Sequence, residues 1–170
     1  SVSNKKIVKT LHSSGTSGAN TAKIFLDESN AKNQKVVLSK ILKKYIGFER
    51  LPMLIVAQNP ICKVDKNLFS AKYAAILGFS IFGKNHTYLI NKDGKIDYPI
   101  LNNFLNKYSK KKFLVFGFTS NIYEYLLTKL STNKIKKDFK KAILIHGGGW
   151  KKMLDKKIGN IEFRNKSLIK

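Results

Sequence analysis

Apolar and polar residues fall in blocks along this chain, and the block lengths predict its elements. Residues 7–11 and 21–26 are short β-prone runs. They flank His12, Ser13, Ser14, Gly15, Thr16, Ser17 and Gly18, seven residues with no apolar member. The pattern reads as a strand, a hydroxyl- and glycine-rich loop, and a returning strand. Residues 27–33 are polar and suited to starting a helix. Val37, Leu38, Ile41, Leu42, Tyr45 and Ile46 then recur at helical spacing over 34–46, and Gly47 is placed to end that helix. Residues 51–57 form a continuous apolar run of strand length. A largely buried helix is expected over 67–83, closed by Gly83.

The second half repeats the alternation. Residues 86–90 read as a strand and Asp93-Gly94 as a tight turn. Residues 98–108 return to helical spacing, with Pro99 tolerable in a first turn. Residues 113–117 and 142–146 are core strands. Between them Thr119 or Ser120 is expected to cap a helix reaching about Leu130. Strand-then-helix order argues for an α/β fold, a mainly parallel sheet flanked by helices. At 170 residues the chain is one domain or most of one. It starts at Ser1 and stops at Lys170 without closing signals, so a cut from a longer polypeptide is expected.

Composition changes this picture little. The net charge of +23 invites a nucleic-acid partner. However, only Arg50 and Arg164 among 33 basic residues are arginine, the side chain favoured for forked phosphate and base contacts. The lysines read as scattered over nearly every element, and abundant Lys, Asn and Ile suit an A/T-rich coding sequence. No specific nucleic-acid partner is expected. Neither a membrane span nor an export signal is visible, and the single cysteine, Cys62, suits a cytoplasmic location.

Chemistry is offered at three places. The loop Ser13–Gly18 supplies hydroxyls and closely spaced N–H groups, with two glycines that let a ligand approach the backbone. A polyphosphate fits it; an ordinary polar turn is the alternative. Phe116, Gly117, Phe118, Thr119 and Tyr123 follow one core strand. His146, Gly147, Gly148, Gly149, Trp150 and Lys151 follow another. Ligands in open α/β sheets sit beyond such strand ends. Three successive glycines suit a flat group lying on bare backbone, or else a loose connection. His146 lacks partners at metal spacing and reads as a histidine hydrogen-bonded at a strand end. Cys62 reads as a small buried residue, and no paired carboxylates suit acid–base work.

In this order, Ser13–Gly18, Phe116–Thr119 with Tyr123, and His146–Lys151 followed by Lys152 resemble the bacterial acyl-protein synthetases. That family belongs to the adenylate-forming superfamily, and the resemblance spans nearly the whole chain. It implies that ATP with Mg2+ activates a carboxylic acid, such as a long-chain fatty acid, to an acyl-adenylate. A thiol on a protein then takes the acyl group, as in the fatty acid reductase complex, with an acyl reductase as partner. It further implies that Ser13, Ser14, Gly15, Thr16, Ser17 and Gly18 hold the β/γ-phosphates. Gly147–Trp150 would border the adenine, and Phe116–Tyr123 would lie between adenine and acyl chain. Catalytic and metal-positioning residues are expected downstream of Lys170, so this piece of the large N-terminal domain is expected to turn over little by itself. The alternatives are a phenylacetate–CoA-ligase-type enzyme ending on coenzyme A, a polysaccharide-pathway relative, and a basic polyanion binder without catalysis.

Overall fold

The computed structural model describes residues 7–12, 23–59, 71–129, 138–148, 153 and 157–167. They fall in two compact units, one drawn from residues 1–49 and 64–82, the other from 50–63 and 83–170.

In the first unit β1 (Ile7–His12) and β2 (Lys23–Asp27) pair antiparallel, as expected of a strand and its return. The helix α1 (Glu28–Ile46) follows at once. It starts six residues before the apolar periodicity does, because Asp27 accepts from the Asn30 N–H at 2.7 Å and caps the first turn. Gly47, at φ +80°, ends it through an N–H bond to the Lys43 carbonyl. Among the apolar positions of α1 only Leu42 is buried; Val37, Ile41 and Tyr45 stand exposed. The helix α2 (Ala71–Ser80) completes the unit's described elements.

The second unit carries a parallel sheet of four strands: β3 (Leu51–Gln58), β4 (Gly83–Ile90), β5 (Phe113–Phe118) and β6 (Ala142–Gly147). Their lateral order is β4-β3-β5-β6, and every pairing is parallel. The fold class expected from the sequence is therefore present. Gly83 opens β4 instead of closing a helix: a Cβ there would lie 2.6 Å from Met53 Cβ on the neighbouring strand. Glycine lets the two backbones approach at that point.

Alternate residues of the strands supply one core. Leu54, Val56, Leu89, Phe113 and Val115 meet Leu101, Phe104 and Leu105 of α3 (Tyr98–Tyr108). Phe104 lies edge-on to Phe113, with ring centroids 5.4 Å apart. Asp97 caps α3 by accepting from the Ile100 N–H at 3.0 Å, and Pro99 occupies the first turn. The turn before it closes on Asn91, whose side chain accepts from the Asp93 and Lys95 N–H groups. Gly94 takes φ +76° there. The helix α5 (Asn160–Ser167) adds Phe163 to the same core.

Candidate functional site at the carboxyl ends of the strands

The chain leaves β3 for β4 on one side, then returns past β3 to β5 and β6 on the other. The crossover direction reverses between β3 and β5. A reversal of this kind opens a crevice outside the carboxyl ends of the two strands, where ligands of open α/β sheets bind. Here those ends carry Gln58 on β3, Phe118 and Thr119 after β5, and His146 to Gly148 on β6.

Side chains tie the ends together. Gln58 donates to the carbonyls of Asn91 and Lys92 at 2.9 and 3.1 Å, holding the end of β3 to the turn after β4. Asn121 donates to the Val56 carbonyl at 3.0 Å, holding the segment after β5 to β3. Thr119 makes two links to β6. Its N–H donates to the Gly148 carbonyl at 3.2 Å, and its hydroxyl lies 3.0 Å from His146 Nδ1. Thr119 is the one buried polar residue among the described residues. It does not cap the helix that follows. That role falls to Phe118, without a side-chain bond, because the Thr119 hydroxyl is engaged with histidine.

The segment after Thr119 is not an ordinary helix. One turn of α4 (Thr119–Asn121) passes into a π-helix over Ile122–Thr128. The wider π turn is uncommon and occurs often at functional sites. It is held at both ends, by Ile122 in the core and by the Tyr125 hydroxyl donating to the Gly94 carbonyl at 3.0 Å.

The sequence-expected pocket residues separate into two groups. Phe116 is 4% exposed and faces the interior. Gly117 has a packing reason: a Cβ would lie 2.9 Å from Ile122 Cδ1 and 3.0 Å from Val56 Cβ. Gly147 and Gly148 are different. A Cβ on Gly147 would meet nothing within 4 Å, so its backbone lies bare. Gly148 takes φ +66°, and a Cβ there would come within 3.2 Å of the Phe118 ring. Aromatic face and bare backbone thus adjoin at the end of β6. Ser13, Ser14, Gly15, Thr16, Ser17, Gly18, Gly149, Trp150 and Lys151 lie outside the described residues, as does Cys62.

His146 is hydrogen-bonded at a strand end, as its sequence context suggested. Its ring also packs on Phe163 of α5, with centroids 4.7 Å apart. The residue keeps substantial exposure, but this covered flank disfavours the charged imidazolium and lowers its pKa from the ordinary 6.5. Tyr123 stands beside Phe163, and its hydroxyl accepts from Lys166 at 3.0 Å. That bond, followed by Glu162 at 2.9 Å, raises the Lys166 pKa. Phe163 and Lys166 were not anticipated from the sequence; a lone aromatic in a short, charged helix carries no motif. Among the described residues no group of three or more His, Cys, Asp or Glu could hold a metal, so none is assigned to Mg2+.

The family model described as LuxE, acyl-protein synthetase, matches residues 1–170. The chain belongs to that family. Searches among curated proteins and among solved structures gave no match. Membership in the acyl-protein synthetases implies a ligase that uses ATP on an acyl substrate. No helix among the described residues is long and apolar enough to cross a membrane.

Proposed function

We propose that the surface beyond the carboxyl ends of β5 and β6, next to the β3–β5 crevice, receives the adenine of ATP in an acid–thiol ligase that makes an acyl-adenylate and passes the acyl group to a protein thiol. The observation that carries this reading is the bare backbone of Gly147, fixed beside Phe118 by the bonds from Thr119 to Gly148 and His146. A purine is flat and apolar on its faces, and such a ledge accepts it without displacing a side chain. The hydroxyl loop Ser13–Gly18 takes the β/γ-phosphates in this proposal. Its donors offset charge that moves onto the leaving pyrophosphate, which is positional and electrostatic catalysis.

The acid's carboxylate attacks the α-phosphorus, the bond to the β-phosphate bridging oxygen breaks, and pyrophosphate leaves. The thiolate then attacks the acyl carbon and AMP leaves. When bound, Mg2+ would neutralise phosphate charge. His146, whose partial burial disfavours the charged form, serves in this reading to hold Thr119. Long-chain fatty acids are the proposed substrates, and the setting is cytoplasmic.

Acid-dependent exchange of labelled pyrophosphate into ATP tests the first step, assayed on the 170-residue chain and on the product of its complete reading frame. We expect exchange from the latter and little from the former, because the catalytic residues are proposed to lie beyond Lys170. Robust acyl-adenylate formation by the 170-residue chain would overturn the fragment reading, and no exchange from either would overturn the adenylation reading. Supplying coenzyme A or a protein thiol then separates this function from a CoA ligase.

A further inference from the structure

The amino ends of the same four strands carry a different surface. Phe113 pairs with Ala142 in the β5–β6 register. The turns that lead into the two strands, ending in Lys110–Lys112 and in Lys140–Lys141, are thereby brought side by side. The Phe113 N–H donates to the Lys141 carbonyl at 3.4 Å, and the Lys141 ammonium donates to the Lys110 carbonyl at 2.7 Å. Both contacts hold the two segments together. Two lysine runs, Lys110–Lys112 and Lys140–Lys141, therefore line one trough, with half-buried Ile143 as an apolar side chain among them. Arg50 and Lys84 stand at the starts of β3 and β4 on the same edge. The two ion pairs among the described residues, Lys129–Glu124 and Lys166–Glu162, involve none of these cations. Parallel pairing thus gathers two of the chain's lysine runs along one rim.

We infer that this rim docks an acidic protein surface, its carboxylates over Lys110–Lys112, Lys140 and Lys141 and an apolar side chain on Ile143. Five like charges that enter no ion pair among the described residues repel one another, and a partner bearing carboxylates relieves that repulsion. Half-buried Ile143 among the lysines favours a protein over a phosphate chain, which offers nothing to cover it. Lysines also lack the fork that matches phosphate geometry, and among the described residues no aromatic lines the trough for base stacking. The rim lies at the opposite ends of the strands from the crevice, so an occupant there leaves the crevice open. The inference is independent of the proposed reaction.

The test measures binding of poly-L-glutamate to the full 170-residue chain at fixed ionic strength. The variant Lys111→Glu/Lys112→Glu/Lys140→Glu is compared with Lys32→Glu/Lys35→Glu/Lys40→Glu on α1, which changes net charge equally. The rim variant is expected to lose about tenfold or more in affinity and the α1 variant less than about threefold. Equal losses would overturn the rim and leave only a basic globule. Tighter binding of oligothymidylate or tripolyphosphate than of poly-L-glutamate at matched charge would overturn the protein partner. Should the glutamate variant fail to fold by circular dichroism, the triple Lys→Gln variant at the same positions decides the question in the same way.

Discussion

The two edges of the β4-β3-β5-β6 sheet are built from the same strands and are opposites in chemistry. At the carboxyl edge polar groups are few, neutral and already paired: Gln58, Asn121, Thr119 and His146 each hold a neighbouring strand end. At the amino edge the groups are cationic and unmatched by acids. Both edges gather residues distant in sequence, because parallel strands align all their starts on one side and all their ends on the other. The difference teaches that one edge is shaped by internal contacts and the other by what it can attract. Substitutions at the carboxyl edge should therefore change stability, and those at the amino edge should change association.

The largest effect is expected at Gly117. Gly117→Ala forces a methyl against Ile122 and the rigid Cβ of Val56, and overpacking of this kind costs about 1–3 kcal/mol. Urea unfolding measures it. Gly147→Ala sharpens the contrast within one edge: its methyl meets open space, so stability should stay within about 0.5 kcal/mol. On the proposed reading it should still weaken ATP binding, since it roughens the ledge. A destabilised Gly147→Ala with unchanged nucleotide affinity would show that this glycine serves packing.

Thr119→Val comes next. It keeps the branched shape and removes the hydroxyl, leaving His146 Nδ1 without its 3.0 Å partner. Loss of one such bond costs about 1 kcal/mol, and the His146 ring should lose its fixed tautomer signature in nitrogen NMR. Exchange of Lys111 or Lys112 for Gln is smaller again in stability, within about 0.5 kcal/mol, because each side chain is exposed and unpaired by any acid among the described residues. A rim substitution that destabilised more than Thr119→Val would break the comparison.

Much of the fold was legible because its signals are local. The helix α3 occupies the residues its spacing predicts, fixed by Asp97 and Pro99 at one end and its apolar stripe throughout. The strands are legible as apolar runs, although β4 begins three residues earlier than hydrophobicity indicates. Its first residues, Gly83 and Lys84, pair through the backbone with Leu51 and Pro52 and need no apolar side chain, and Asn85 follows at φ +50° where the register shifts. The polar first turns of α1 were hidden for a similar reason: a capped turn is stabilised by Asp27, not by periodicity. At the site, the open backbone after β6 follows from consecutive glycines. The π turn, the Thr119–His146 bond and the Phe163 wall do not, since each depends on residues that only the folded sheet brings together. The lysine rim is the plainest case. Its members look dispersed until a register is known.

The smallest expected effect is a pH dependence that belongs to the carboxyl edge alone. His146 has a folded pKa below the ordinary 6.5, through burial of its flank on Phe163. The unfolded chain therefore takes up the proton at a higher pH than the folded one. Stability contributed at this position is full above about 6.5 and declines as pH falls through 6.5 towards the folded value, below which the loss is complete. The ring is too exposed for a large change, so the decline should be visible only as a difference between variants. Midpoints of urea unfolding at pH 7.5 and 5.5 should differ less in His146→Gln, which keeps a polar group for Thr119 without titrating, than in the parent. Gln variants of the rim lysines, at the other end of the strands, should follow the parent. If His146→Gln keeps the whole acid sensitivity, the histidine is not desolvated by Phe163, and α5 does not wall the crevice.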